Sequence, residues 1–433
     1  MPDQNNLKPA RTKVLVLTDS FLPHAGGSRE YYNNIYLNLT RLGNTQVTLL
    51  TKKIAGWQDF DRKASSESFR IRRMFKPLPS WKLRELPKGL GPLLHTLWHV
   101  VRERPNIIHS GDLYPQGVIA LTLKKVLGIP YVVYCHGEEI PQLDRFRYQP
   151  RVRDRIYKNA NAVIAASEFT RQNLLRLGVK DECIQKITPG VDSAKFKPGN
   201  SSIGLREKYG LEGKVVVLTV ARLVPRKGHR LALKAFAKVC REISDAHYLI
   251  VGTGPDEPQL RAIVQESGIS DRVTFAGYVA GDQLAEIYNT GDVMVMPNRQ
   301  EENGDVEGFG IVFLEASATG KPVVGGRSGG AVEAIVEGVT GYLVSPDNAD
   351  ELAGILRKLL TDRELRERLG TAGASRVRAE FNWKARAEML EALNRRILNP
   401  QHTREVSAEP SGSMPSGLTV EELRRSGAIS KNQ

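Results

Sequence analysis

The sequence contains few cysteines and no long apolar segment, and these absences narrow the class of protein. Its 433 residues include only three cysteines, at positions 135, 183 and 240. Their spacing fits neither a disulfide framework nor a zinc site, so we expect a reducing compartment and no bound metal. No apolar run is long enough to predict a transmembrane helix. The first residues, MPDQNNLKPARTK, lack the apolar segment of a secretory signal, so we expect a cytoplasmic protein.

Acidic residues are scarce in the first half of the chain. Residues 1–200 contain 32 Lys and Arg against 17 Asp and Glu, so the net charge of +14 belongs wholly to this half. A positive field of this kind attracts an anionic substrate, an anionic bilayer or nucleic acid. Nucleic-acid binding would call for aromatic residues among the basic ones or a recognisable binding module, and neither is visible. We therefore expect no nucleic acid, and a polyanion-binding protein remains the non-enzymatic alternative.

Short apolar segments alternate with helical ones along most of the sequence. Lys13–Thr18 (KVLVLT) is typical of a buried parallel strand, and similar segments recur with helices between them. A passage rich in proline and glycine at 189–202 interrupts the pattern, which then begins again. We predict an α/β fold with two doubly wound, Rossmann-like domains, 1–195 and 200–370, facing each other across a cleft.

The end of the chain differs from the two predicted domains. Residues 371–398 have helical apolar spacing. After Pro400 the composition turns to Ser, Pro, Glu and Gly, so residues 400–433 are predicted to be disordered.

The segment EGFGIVFLE, from Glu307 to Glu315, is the strongest candidate for a binding site. Gly308 and Gly310 allow a ligand to approach the backbone, and Ile311–Ala318 is predicted to continue as a helix. Free amides at a helix N-terminus suit phosphate or sugar oxygens, and the carboxylate of Glu315 suits a ribose diol. The alternative is a purely structural helix with acidic residues placed favourably in its dipole.

A second candidate is the basic segment ARLVPRKGH at 221–229, which follows the predicted strand KVVVLTV. It places Arg222, Arg226 and Lys227 on a loop at the carboxyl edge of a sheet. Arginine binds phosphate through a bidentate fork and lysine binds it as a point charge, so this loop suits a diphosphate. The alternative is a set of solvated charges on a surface loop.

Three weaker signals follow other predicted strands. Gly26 and Gly27 precede a helix and expose backbone amides, and Gly252 lies in a partial glycine motif, VGTG. His136 follows the predicted strand YVVY, where a catalytic role and a structural role are equally compatible with the pattern. The sequence DFD at 59–61 resembles a metal-binding Asp-x-Asp motif but follows no strand, so we do not expect it to bind metal.

These motifs together resemble the retaining GT-B glycosyltransferases of family 4, and among them the GDP-mannose-dependent phosphatidylinositol mannosyltransferases. The resemblance covers residues 13–398. It rests on the two glutamates of EGFGIVFLE, on Arg222 and Lys227, and on the segments GKPVV at 320–324 and SGGAVE at 328–333.

The resemblance implies a role for each candidate residue. Arg222 and Lys227 would neutralise the donor diphosphate, Glu315 would bind the ribose, and Glu307 would lie beside the transferring sugar. His136 would lie near the C6 hydroxyl of that sugar, and the helix containing Trp383 would cross back onto the first domain at about 375–398. The implied catalytic residues are His136, Glu307, Arg222 and Lys227, and the implied donor-binding residues are Gly26, Gly27, Arg222, Lys227, Gly252, Phe309, Gly310, Ile311 and Glu315.

The same resemblance implies transfer with retention of configuration and without a metal or other cofactor. The diphosphate would leave from the face that the acceptor hydroxyl attacks, and cations and amides would stabilise the charge that develops. GDP-mannose is the favoured donor, with UDP-glucose or UDP-N-acetylglucosamine as the alternative, and the acceptor would be lipid-linked or a glycan. A sugar-nucleotide 2-epimerase of the same fold is the alternative enzyme.

Residues 70–104 interleave basic residues with large apolar ones. The apolar set is Trp81, Leu83, Leu93, Leu94 and Trp98. At a membrane interface such apolar groups enter the headgroup boundary while Arg and Lys meet anionic lipid. Together with the positive first half, this segment favours a peripheral role on the inner face of the cell membrane. The alternative is that the apolar side chains pack into the core.

Overall fold

The computed structural model contains two separate parallel β-sheets, each flanked by helices. It describes residues 11–19, 21–23, 26–74, 86–137, 139–140, 149–199 and 203–400. The strands of the first half form a seven-stranded sheet and those of the second half a six-stranded sheet. The predicted α/β fold with two doubly wound domains is confirmed. The predicted disordered tail lies outside the described residues.

The first sheet has the strand order β3-β2-β1-β4-β5-β6-β7. Its strands are β1 (Thr12–Leu17), β2 (Thr45–Lys52), β3 (Phe69–Met74), β4 (Ile107–Ser110), β5 (Tyr131–Cys135), β6 (Ala162–Ala165) and β7 (Ile184–Lys186). Its helices are α1 (Gly27–Arg41), α2 (Trp57–Ala64), α3 (Leu86–Glu103), α4 (Val118–Leu127), α5 (Gln149–Asn159) and α6 (Glu168–Arg176). The central strands β4, β5 and β6 are buried along their whole length, as expected where helices cover both faces.

The second sheet has the order β10-β9-β8-β11-β12-β13. Its strands are β8 (Val215–Val220), β9 (Ala246–Val251), β10 (Val273–Gly277), β11 (Val293–Met296), β12 (Val323–Gly326) and β13 (Gly341–Val344). Its helices are α7 (Ile203–Lys208), α8 (His229–Val239), α9 (Glu257–Glu266), α10 (Leu284–Thr290), α11 (Ile311–Ala318), α12 (Ala331–Ala334), α13 (Ala349–Thr361) and α14 (Arg363–Glu380). Helix α11 has the bounds that the sequence predicts.

The last helix, α15 (Trp383–Leu398), packs on the first domain although it follows the second in the chain. Trp383 belongs to the apolar core beneath α1, and its ring centroid lies 5.5 Å from that of Tyr31. Nε2 of His109, in β4, lies 2.9 Å from the amide oxygen of Asn394. The chain therefore passes from the first domain to the second and returns.

The edge strand β3 is a correction to the interpretation of residues 70–104. The sequence analysis assigned Arg70 onward to a membrane segment, whereas residues 69–74 pair with β2. Phe69 and Ile71 are buried, and buried Arg73 makes a bidentate ion pair with Asp61 at 2.7 and 3.0 Å. The charged sequence FRIRRM hides this alternation because two of its arginines are paired, Arg73 with Asp61 and Arg70 with Glu103.

Helix α3 divides its apolar residues between the core and the surface. Leu93 packs against the apolar core, whereas Leu94, Trp98 and Val101 are 62%, 52% and 69% exposed. Residues 75–85, including Trp81 and Leu83, lie outside the described residues. In the part of the chain that the structure describes, no helix combines the length and apolar character needed to cross a membrane.

The carboxyl edges of the two sheets approach each other closely enough for backbone contact. A Cβ atom at Gly308 would overlap the carbonyl oxygen of His136, so only glycine fits where the two domains meet. Glu333, in α12, accepts a hydrogen bond from the amide of Glu168 at the start of α6. The loops that bear the candidate residues therefore line a single interdomain cleft.

Candidate active site

The candidate residues lie beyond the carboxyl ends of strands, close to the point where each sheet reverses its strand order. These points fall between β1 and β4 and between β8 and β11. In open α/β sheets this is the position at which ligands bind. Gly26 and Gly27 follow β1, His136 follows β5, Arg222 and Lys227 follow β8, and Glu307 follows β11. The fold thus brings predicted residues from both halves of the chain into one cleft.

Glu307 is the centre of a buried charge cluster. Its Oε2 lies 2.5 Å from Nζ of Lys227 and 3.1 Å from Nη1 of Arg226. Burial by itself would raise the pKa of Glu307, but Lys227 and Arg226 outweigh it and hold the pKa below its usual range. Burial also lowers the pKa of Lys227, while Glu307 opposes that effect. Asp305 also pairs with Arg226, so this buried cluster contains two cations and two carboxylates and is balanced in charge.

Arg226 has a structural role that distinguishes it from its neighbours. Its side chain is only 7% exposed, donates to the carbonyl oxygen of Val306 at 3.1 Å, and pairs with Asp305 at 3.3 Å. It therefore anchors the loop that leads to Glu307. Arg222 is exposed, and its own carbonyl oxygen lies 3.0 Å from Nε2 of His229. Of the two arginines, Arg222 is the one whose side chain is open to a ligand.

Two helix N-termini meet in the cleft beside these cations. Helix α1 begins at Gly27 and helix α11 at Ile311, and a Cβ at Gly27 would lie 3.9 Å from Cγ2 of Ile311. Each N-terminus presents free amides and a positive dipole end. Burial lowers the pKa of Arg29, in the first turn of α1, and repulsion by Arg222 adds to this effect. Cations and amides from both domains thus surround a space suited to a polyanion.

His136 is held by the first domain beside this space. Tyr32 places its hydroxyl 2.7 Å from Nε2 of His136. The carboxylate of Glu139 accepts hydrogen bonds from the amides of His136 at 3.1 Å and Gly137 at 2.8 Å. Burial raises the pKa of Glu139, and these amide bonds oppose the rise. The loop that carries His136 is therefore fixed at both its side chain and its backbone.

Glu315 lies inside α11 and contacts a buried tyrosine. The hydroxyl of Tyr288, in α10, donates to its Oε2 at 2.7 Å. Burial raises the pKa of Glu315 to about 7, although the hydrogen bond from Tyr288 lowers it. This carboxyl group lies in the second turn of α11, the helix whose N-terminus meets α1. Its charge changes near neutral pH.

Other predicted binding residues have structural explanations for their identity. Gly310 has φ +84° as the N-cap of α11, and a Cβ there would lie 2.6 Å from the ring of Phe313. Gly252 has φ +133° and packs against the carbonyl of Ala221. The side chain of Phe309 is 4% exposed and belongs to the core of the second domain. Side-chain identity at these positions therefore serves the fold, and a ligand would meet the backbone.

Among the residues that the structure describes, no group of three or more His, Cys, Asp or Glu is arranged to hold a metal ion. Asp61 of the DFD segment is instead committed to its ion pair with Arg73. The resemblance assigns the neutralisation of the donor diphosphate to Arg222 and Lys227, and both residues follow β8 at the carboxyl edge of the second sheet.

Sequence reasoning missed Tyr32, Tyr288 and Glu139. Tyr32 contacts a residue 104 positions away and Tyr288 one 27 positions away, so local spacing contains no signal for either. Glu139 could have been predicted from the sequence. An acidic residue three positions after a histidine at the end of a strand can accept hydrogen bonds from the nearby backbone amides.

Comparison with known proteins matches both halves of the chain to glycosyltransferase families. The model of the glycosyl transferases group 1 matches residues 203–376, and that of glycosyltransferase family 4 matches residues 25–195. A GDP-mannose-dependent alpha-(1-6)-phosphatidylinositol monomannoside mannosyltransferase of Mycolicibacterium smegmatis is 30% identical over 389 residues, which cover 88% of this chain and 97% of the relative. A mannosylfructose-phosphate synthase of Agrobacterium fabrum is 31% identical, over 85% of this chain and 86% of the relative.

Solved structures share the fold at lower identity. Sucrose-phosphate synthase from Thermosynechococcus elongatus has a TM-score of 0.74 at 23% identity, covering 92% of this chain and all of the other. Anabaena HepE in complex with UDP and glucose has a TM-score of 0.73 at 21% identity, covering 88% of this chain and 99% of the other. The two facing sheets, the family models and the similarity to M. smegmatis lead to one conclusion: the chain belongs to the group 1 and family 4 glycosyltransferases and is a glycosyltransferase with the GT-B fold.

Proposed function

We propose that this glycosyltransferase moves mannose from GDP-mannose to a lipid-borne hydroxyl group with retention of anomeric configuration. The observation that carries the proposal is the convergence of Arg222, Lys227 and two helix N-termini on one space between the domains. Such a space suits a diphosphate. The similarity to the GDP-mannose-dependent relative of M. smegmatis favours mannose as the sugar.

In the proposed chemistry, stabilisation of the charge on the leaving diphosphate contributes more to catalysis than acid–base groups of the protein. As the bond between the sugar and the diphosphate breaks, negative charge develops on the departing phosphate oxygen. Lys227 and Arg222 neutralise that charge, and the amides at Gly27 and Ile311 add hydrogen bonds fixed before the reaction begins. Glu307 keeps Lys227 in place through its 2.5 Å contact. The cleft therefore stabilises the leaving group with the chain's own residues.

Retention follows in this proposal if the acceptor attacks the face from which the diphosphate leaves. The acceptor oxygen forms the new bond to the anomeric carbon, and its proton passes to the departing phosphate oxygen. No protein base is required for this step, and we assign none. His136 and the loop at 307–310 meet where the two domains touch, and in this proposal both lie beside the transferring sugar.

A bilayer is the proposed source of the acceptor. Leu94, Trp98 and Val101 occupy one face of α3 at spacings of four and three residues, and all are exposed. The guanidinium of Arg102 lies 5.1 Å from the centre of the Trp98 ring. An exposed apolar stripe beside cations suits the headgroup boundary of an anionic membrane. The positive first half of the chain supplies longer-range attraction.

A donor screen with the purified protein tests the proposal. GDP-mannose, UDP-glucose and UDP-N-acetylglucosamine are compared for transfer to phosphatidylinositol-type lipids and for slow hydrolysis by water. We expect GDP-mannose to be consumed fastest, and NMR of the product to show the α-anomer that the donor carries. Preference for a UDP-sugar would contradict the donor assignment, and a β-linked product would contradict retention.

The same screen distinguishes the transferase from the alternative enzyme, a sugar-nucleotide 2-epimerase. An epimerase converts its sugar nucleotide into another sugar nucleotide without an acceptor and with no net release of the nucleoside diphosphate. Release of the nucleoside diphosphate therefore favours the transferase, whereas a new sugar nucleotide with no release favours the epimerase. Binding of polyanions with neither reaction would favour the non-enzymatic alternative.

A further inference from the structure

The segment SGGAVE at 328–333 connects the loop that bears Glu307 to the first domain. The amide of Gly330 donates to the carbonyl oxygen of Glu307 at 2.9 Å. A Cβ atom at Gly330 would overlap the carbonyl oxygen of Gly308 and would lie 2.8 Å from Oγ of Ser167, which belongs to the first domain. The segment therefore touches the loop of the candidate site and the facing domain at the same point.

Glu333, the last residue of this segment, extends the contact with the first domain. Its carboxylate accepts a hydrogen bond from the amide of Glu168, the first residue of α6. Its Oε2 lies 3.4 Å from Nζ of Lys186, at the end of β7. The side chain of Glu333 is only 22% exposed, so solvent screens these interactions less than it would on an open surface.

Helix α6 is thus capped by residues of both domains. The first amides of a helix have no partner within the helix. Ser167, the N-cap residue, accepts from the amide of Thr170 at 3.1 Å, and Glu333 accepts from that of Glu168. A carboxylate in this position also interacts favourably with the helix dipole. The cap of a first-domain helix is therefore completed by the second domain.

Both sides of the contact are fixed within their own domains. Arg376, in α14, donates to the carbonyl oxygens of Glu333 and Ala334, each at 3.0 Å, and so holds α12 in the second domain. In the first domain, Arg171 donates to the carboxylate of Glu168 at 2.8 Å. A displacement of one domain against the other would therefore break the cap.

We propose that Glu333 is a positioning residue for sugar transfer: by capping α6 of the facing domain, it holds the loop at 307–310 against His136 in the closed cleft. This inference rests on the proposed function, in which the sugar nucleotide reacts between these edges. Because the backbones of Gly308 and His136 are in contact, the edges separate for the donor to enter and close again for the reaction. The cap exists only in the closed arrangement, so Glu333 acts through the relative position of the domains.

Glu337 provides a matched control. It lies four residues after Glu333, and its carboxylate also accepts from a backbone amide, that of Leu343 at 2.8 Å. It also has a cationic neighbour, Arg327, at 3.9 Å. Both partners of Glu337 belong to the second domain. Glu337→Ala therefore removes a comparable set of interactions and leaves the interdomain contact in place.

Hydrogen exchange at the start of α6 measures the cap directly. Wild type, Glu333→Ala and Glu337→Ala are compared without nucleotide by mass spectrometry of peptides that cover residues 167–171. We expect Glu333→Ala to accelerate exchange there about three- to thirtyfold, the range for the loss of a helix cap, and Glu337→Ala to leave it unchanged. Unchanged exchange in Glu333→Ala, or equal acceleration in both variants, overturns the inference.

Kinetics test the role of the cap in the reaction. We expect Glu333→Ala to lower kcat with GDP-mannose about three- to thirtyfold, because the cap contributes to the population of the closed arrangement. The donor KM should change much less, since the cations of the second domain remain. Glu333→Gln, which keeps an acceptor oxygen but loses the charge, should have an intermediate kcat. A normal kcat in Glu333→Ala overturns the role in transfer.

The two measurements separate this inference from the proposed function. Exchange is measured without a donor, so unchanged exchange in a protein that transfers mannose defeats the interdomain cap alone. Accelerated exchange in Glu333→Ala, in a protein that uses no sugar nucleotide, supports the cap and defeats the proposed function.

Discussion

At the scale of single residues, the three cations that follow β8 differ in exposure and in their partners. Arg226 is buried and ties the loop before Glu307 to its place, and Lys227 is paired with Glu307. Arg222 is exposed. Removing a member of the buried cluster leaves an uncompensated charge, which affects folding as well as activity. Arg222 is therefore the position at which ligand binding is tested separately from stability.

We predict that Arg222→Ala lowers kcat/KM for the donor about ten- to hundredfold, because a hydrogen bond to a charged group contributes roughly 1.5–3 kcal/mol. The melting temperature should stay within a degree or so of the wild type, since the side chain is exposed. Steady-state kinetics and thermal denaturation measure the two quantities. Arg241→Ala, an exposed arginine just after α8, is the control and should retain wild-type kinetics. Normal donor use by the Arg222 variant would remove this residue from the site.

The second residue-scale prediction concerns pH. With a pKa of about 7, Glu315 is mostly ionised at pH 8 and mostly protonated at pH 6. If its carboxylate binds the ribose diol, the donor KM should rise roughly tenfold from pH 8 to pH 6, since each pH unit below the pKa lowers the ionised fraction about tenfold. Tyr288→Phe removes a hydrogen bond that lowers this pKa, so the midpoint should move to higher pH.

Controls separate this effect from general destabilisation. Tyr248→Phe removes another buried hydroxyl of the second domain, one that bonds to Thr219, and should leave the midpoint unchanged. A donor analogue that lacks the ribose 2′-hydroxyl should show a weaker dependence on pH. A donor KM that stays constant between pH 6 and pH 8 would contradict the role of Glu315.

The difference between the predicted and the observed site has a physical origin. Glu307, Arg222 and Lys227 belong to short segments in which glycines, charges and a helix start follow one another, so their pattern is visible in the sequence. Tyr32 and Tyr288 act on residues that the fold brings to them, and nothing nearby marks them. The sequence therefore predicts the groups that meet a ligand better than the groups that support them.

At the scale of elements, the apolar strands were predictable and the two edge strands of the first sheet were not. The central strands are apolar segments, and β1, predicted at Lys13–Thr18, is observed at Thr12–Leu17. Strand β3 is charged because one face is open and two of its arginines are paired, with Glu103 and Asp61, and β7 has only Ile184 buried. Helix α15 illustrates a further limit, since its apolar spacing predicts a helix but contains no information about which domain it covers.

The packing of α15 gives an element-scale prediction. Trp383 is 5% exposed, contacts Tyr31, and lies against Gly190, where a Cβ would come 2.9 Å from its ring. Trp383→Ala should lower the free energy of unfolding of the first domain by about 3–5 kcal/mol, the range for a buried tryptophan. Urea denaturation followed by circular dichroism measures the change.

A matched substitution lies on the same helix. Met389→Ala removes a side chain that is 38% exposed and should change the free energy of unfolding by less than about 1 kcal/mol. Equal effects of the two substitutions would show that α15 contributes through its helix alone and not through its contact with the first domain.

At the scale of the whole molecule, the cleft is both the site of chemistry and the line along which the two domains touch. Backbone contact at Gly308 and the bond from Glu168 to Glu333 hold the facing edges together, and Lys186 adds an ion pair to Glu333 at 3.4 Å. The space proposed for the diphosphate lies between the same edges. We therefore expect the donor to enter between the same loops that bring His136 against residues 307–310. Helix α15 also connects the two domains.

The charge distribution of the molecule leads to the last prediction, which concerns the bilayer. The first half carries the whole positive excess, and the apolar stripe of α3 belongs to it. Each Lys or Arg near an anionic surface contributes on the order of 1 kcal/mol, and salt screens this attraction. In co-sedimentation, we expect the protein to pellet with anionic vesicles at low salt, less at high salt, and hardly at all with neutral vesicles.

Replacing Leu94, Trp98 and Val101 together by serine should weaken pelleting at every salt concentration, because insertion of the stripe does not depend on charge. Met389→Ser, which removes an exposed apolar residue from the other end of the chain, should pellet like the wild type. Equal, negligible pelleting of the wild type with both lipids at low salt would contradict the membrane role and direct the search for the acceptor to soluble molecules.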